Sequence, residues 1–127
     1  MFEQDYIMRL IKEMIRAILK LVFRIDTDNP VKELLEEKQS RDTLEKLLDM
    51  VDSGKINEAE NQIYDMTSDN NMVNLEVALL FYSYLNDKDD DFLQKNDFCR
   101  DEIKSGITEL VSRYGLTGIT EIFLSEV

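Results

Sequence analysis

The sequence predicts an all-α protein of five or six helices, and three observations predict it. Leu, Asp, Glu, Ile and Lys are the commonest residues, while glycine occurs four times and proline once, so helix formers outweigh breakers and strand formers. No run of alternating apolar and polar residues is long enough for a strand. Apolar residues instead recur at steps of three and four along most of the chain. The 127 residues, 43% hydrophobic, suffice for a core and read as a single domain, 1–127.

The first helix is predicted from about Gln4 to Ile25. Arg9, Lys12, Glu13, Arg16, Lys20 and Arg24 fall in one arc of roughly 120° on a helical wheel. Ile7, Met8, Leu10, Ile11, Met14, Ile15, Ala17, Ile18, Leu19, Leu21, Val22 and Ile25 fill about 200° of the remainder. A helix lying on a core needs only a little more than about 100° of apolar surface. This helix therefore asks to be covered from two sides, by its own chain, a second copy, a partner or a membrane. Leu10, Met14, Ile18, Leu21 and Ile25 form a seam along one side and are the expected protein contact.

Asp26-Thr27-Asp28-Asn29-Pro30 ends helix one. Asp28 or Asn29 can cap the next helix, with Pro30 at its first position. Helix two begins near Val31 among Glu33, Glu36 and Glu37. It either runs on to Val51 or breaks near Gln39-Ser40, where Ser40 can serve as a cap. Leu44, Leu47, Leu48 and Val51 give it a buried stripe, and Ser53-Gly54-Lys55 makes a turn with Gly54 at the helix end. Helix three covers Ile56 to Met66, with Ile56, Ala59, Ile63 and Met66 on one face. After the polar loop Thr67 to Asn71 comes helix four, Met72 to Asn86, which has almost no polar face and is expected at the centre.

Asn86 to Asp91 reads as an acidic loop. Helix five lies between Phe92 and Tyr114, entered as late as Asp97 in one reading. Cys99, Ile103, Ile107, Leu110, Val111 and Tyr114 form its apolar stripe, and Gly115 ends it. A short last helix is expected from Gly118 to Ser125.

Two resemblances bear on the fold. The stretch LLDMVDSGKINEAENQIYDM resembles a tetratricopeptide hairpin: Gly54, Ile56 and Ala59 hold the places of its Gly-x-aromatic-x-x-Ala pattern, with Ile56 in place of the aromatic. Small Ala59 would let the two helices approach closely. About twenty residues match, and no second copy stands at the expected period. The resemblance implies a helical hairpin of that geometry. The opening Gln4-Asp5-Tyr6-Ile7-Met8-Arg9-Leu10-Ile11 resembles the start of a family of small bacterial proteins of unknown function, mainly of Firmicutes. That family implies helical hairpins and carries no catalytic residue over.

Charge and chemistry narrow the function. The net charge is −12; residues 1–25 carry +2, which leaves −14 on the rest. An acidic body repels phosphate backbones, so nucleic-acid binding is disfavoured. With no histidine, the usual general base, Ser-His and Cys-His pairs and most zinc sites are absent. No Gly-rich phosphate loop occurs. Cys99, the single cysteine, is expected as a small buried hydrophobe. Asp87, Asp89 and Asp91 imitate the start of a calcium loop, but Phe92 and Phe98 stand where the turn glycine and the bidentate Glu belong. No catalytic residue, metal site or cofactor is therefore expected.

The absence of a disulfide framework, a signal peptide and a long apolar run gives a cytoplasmic expectation. The expected function is a non-enzymatic helical scaffold or adaptor with a protein partner or as a homodimer. The alternative is a peripheral membrane-surface protein using the basic helix 5–25. The acidic remainder and the lack of Trp weigh against it.

Overall fold

The computed structural model describes residues 2–24 and 38–118. These form α1 (Phe2–Ile18), continued by a π-helical turn (Leu19–Phe23), then α2 (Lys38–Asp52), α3 (Ile56–Met66), α4 (Met72–Asn86), α5 (Asp90–Lys95) and α6 (Arg100–Arg113). No strand occurs among the described residues. Ile25, the loop to Pro30, the expected start of helix two and most of the expected last helix lie outside them.

Helix α4 is the axis. Leu75, Val77, Ala78, Leu79, Leu80, Phe81, Tyr82 and Leu85 point to all sides of it and are buried. It packs against α1, α2, α3 and α6. Asn71 caps its start, its side-chain oxygen accepting from the Asn74 N–H at 3.1 Å.

Hydrogen bonds between helices fix their directions. Arg100, at the start of α6, donates to the Asn86 carbonyl at the end of α4. Tyr114, just past α6, donates to the Asn71 carbonyl at 2.6 Å, so α6 runs antiparallel to α4. The Asn86 amide donates to the Met8 carbonyl at 3.0 Å, and α1 and its π turn both pack on α4, so α1 runs back along α4 as well. Helix α2 runs with α4, since Asp52 at its end meets Tyr84 and Lys88.

Helices α2 and α3 pack as a hairpin around Gly54, whose φ of +82° suits glycine alone among ordinary residues. Leu44, Leu47 and Val51 from α2 meet the core with Ile56, Ala59 and Ile63 from α3. Leu48 is only half-buried. Ser40 is not a cap: the helix is already formed at Lys38, and Ser40 is buried within it.

Two expected elements are corrected. Helix one does not run as a regular α-helix past Ile18; the next turn is π-helical and closes at Arg24, which sits left-handed at φ +61°. The single fifth helix is two, α5 and α6, separated at Asn96 to Cys99 with Asp97 at φ +54°. Asp tolerates that region better than most side chains. The break places Phe98 in the core and leaves Cys99 exposed, so Cys99 is not the buried hydrophobe expected. Its N–H donates to the Glu102 carboxylate at 3.0 Å, half of a capping box that starts α6.

Candidate functional site

The outward face of α1 is the candidate site. Arg9, Lys12, Glu13, Lys20 and Arg24 are exposed, with Arg16 half-buried beside them. Two large apolar side chains share the exposed surface of this segment, Tyr6 at 46% exposure and Leu21 at 66%. Six to twenty-one is fifteen residues, or roughly 22 Å of helix. Arg16 and Lys20 have partners within the chain. Arg9, Lys12 and Arg24 make no ion pair among the described residues.

The expected contact seam divides. Met14 and Ile18 are 0% exposed and belong to the core, together with Ile11, Ile15 and Leu19. Leu10 is half-buried against that core. Leu21 stands in solvent, and Ile25 lies outside the described residues. The π turn separates Leu21 from Ile18: with i to i+5 bonds each residue advances by a smaller angle than in an α-helix, so Leu21 falls short of the buried stripe. The wide apolar arc is thus covered largely by α4 and α6 of the same chain.

A second polar cluster lies between α3 and α6, in a cleft of about 210 Å³. The Tyr82 hydroxyl donates to Glu60 Oε2 at 2.8 Å. Arg113 donates to Thr67 Oγ1 at 2.9 Å, with its guanidinium 4.2 Å from the Tyr64 ring centre. Thr67 in turn donates to the Ile63 carbonyl at 2.7 Å. These contacts tie α3 to α4 and α6. Gly106, an interior glycine of α6, lets the phenol in: a Cβ there would stand 2.5 Å from the Tyr82 oxygen and 2.8 Å from Cζ. Gly106→Ala is therefore expected to destabilise by about 1–3 kcal/mol, although alanine alone favours a helix over glycine by about 1 kcal/mol. Urea titration measures this, and Gly106→Ala with Tyr82→Leu should cost less than the two changes summed.

Two carboxylates carry opposite pH signatures. Burial pushes the Glu60 carboxyl above its ordinary 4.5; the Tyr82 hydrogen bond opposes this, while Glu102 and Glu109 add to it. The folded state then binds this proton more tightly than the unfolded, so stability from Glu60 rises as pH falls from neutrality toward 4.5. Asp52 is held below its ordinary 3.8 by hydrogen bonds from Lys88, at 2.6 Å, and Tyr84, at 2.7 Å. Its contribution is present above pH 3.8 and is lost as pH falls through the lowered value. Melting temperature should thus rise on mild acidification and fall below about pH 4. Glu60→Gln should remove the rise, and Asp52→Asn should blunt the fall.

The acidic loop does structural work. Asp89 caps α5, accepting from the Phe92 N–H at 2.8 Å, and Asp90 pairs with Arg100. Among the described residues no group of three or more potential ligands is placed to hold a metal ion. No helix among them is long and apolar enough to cross a membrane.

These features define an acidic, all-helical protein built on a central apolar helix, with a cationic outer face on its first helix. The chain belongs to the family of unknown function DUF6483, whose model matches residues 1–115 and so spans all six described helices. Neither the curated proteins nor the solved structures include a match.

Proposed function

We propose that the protein is a non-enzymatic helical scaffold or adaptor that works by protein–protein association through the outer face of α1. The observation that carries this reading is the pairing of exposed cations with exposed Tyr6 and Leu21 on the helix of an otherwise acidic chain. Aromatic and arginine side chains are enriched at protein interfaces, and this face carries Tyr6, Arg9 and Arg24 with a leucine two-thirds exposed. The same face would suit anionic lipid, but Ile11, Met14, Ile15 and Ile18 are committed to the core and could enter a bilayer only by unpacking α1. The −14 borne by the rest of the chain also opposes an anionic surface.

The α2–α3 hairpin and small Ala59 support tetratricopeptide-like geometry as part of this scaffold. The Gln4 to Ile11 opening supports a bacterial, Firmicutes-type source, and a lone exposed thiol at Cys99 suits a reducing cytoplasm.

Site-specific photocrosslinking in the source cell tests the association. A crosslinker at Lys12 should give a discrete protein adduct that disappears with Arg9→Glu and Leu21→Asp, while one at exposed Glu58 on α3 gives none. Equal yields at both positions, or recovery of lipid alone from Lys12, would overturn the reading.

A further inference from the structure

We draw no further inference here: the strongest candidate, the cleft between α3 and α6 lined by Glu60, Tyr82, Glu109 and Arg113, has its polar groups turned to one another, Tyr82 to Glu60 and Arg113 to Thr67 and the Tyr64 ring, and nothing in the structure shows what would bind the carboxylates of Glu60 and Glu109 that remain.

Discussion

Ile18→Asp is expected to abolish cooperative folding, whereas Leu21→Asp leaves stability nearly unchanged. Both residues belong to the same seam on an ideal helical wheel, so the sequence pattern gives no reason to separate them. In the structure Ile18 is 0% exposed, amid the contacts α1 makes with α4 and α6, and Leu21 is 66% exposed. An aspartate at 18 must either remain ionised without a partner in the core or be protonated at the cost of a raised pKa. The lost burial of the isoleucine adds about 1.5–3 kcal/mol. The sum exceeds about 4 kcal/mol, a large fraction of the 5–15 kcal/mol typical of a domain. The Leu21 change should stay within about 0.5 kcal/mol, as for other surface substitutions. Far-UV circular dichroism with urea titration distinguishes them, and equal losses would mean that the π turn does not set the end of the buried stripe.

Arg100→Ala is the second large effect expected. A cation in the first turn of a helix opposes the helix dipole, yet Arg100 opens α6 and is only 2% exposed. Its guanidinium turns away from α6 to the chain leaving α4, donating to the Asn86 carbonyl at 3.2 Å and to the Lys88 carbonyl, and pairs with Asp90. There it serves carbonyls at a helix C-terminus, where a positive charge is favoured. Alanine would leave these carbonyls without their donor and open a cavity between α4, α5 and α6, a loss of about 3 kcal/mol or more. Asp90 is half-exposed, so Asp90→Asn should cost under about 1 kcal/mol. Arg100→Lys should recover only part of the loss, because an ammonium lacks the planar fork that reaches two carbonyls and a carboxylate together. Thermal denaturation of the three variants gives the order; a large effect of Asp90→Asn would place the stabilisation in the ion pair rather than in the carbonyls.

Much of this architecture was legible in the residues. Helices α3 and α4 fall where the apolar spacing and the Gly54 turn place them, and the near absence of polar positions in Val77 to Leu85 marked α4 as central. The hairpin residues Leu44, Leu47, Val51, Ile56, Ala59 and Ile63 are buried as their three- and four-residue steps require. What escaped the pattern has local causes. A π turn inserts no residue type of its own, so the fate of Leu21 was invisible to a wheel drawn at constant pitch. The division of helix five was masked because Cys99, Ile103 and Ile107 stand at four-residue steps and draw Cys99 into the stripe, while the signals for the break, Asp89 as a cap, left-handed Asp97 and Glu102 behind Cys99, are polar residues that read equally well as surface. Arg100 escaped because charged residues are almost never fully buried unless they are paired, and its partners come from the preceding turn and from α5.

The candidate site was half legible. The cationic arc of α1 stands outward as the wheel places it, but the wide apolar arc pointed to an outside partner for Met14 and Ile18, when α4 and α6 already cover them. Width of an apolar arc reports how much of a helix is buried, not by which chain. The cleft holding Glu60, Tyr82 and Gly106 joins residues from three helices and leaves no local signature.

Amide hydrogen exchange along α1 tests the central claim, that its apolar face is held within one chain while its ionic face is left for association. At roughly 1 M NaCl, which screens ionic contact between copies, the amides from Ile11 to Leu19 should exchange as slowly as those of Leu79 to Leu85 in α4, because both would open only with the whole core. Fast exchange of α1 in the monomer, slowed only when copies associate, would contradict the account and return Met14 and Ile18 to an interface between chains.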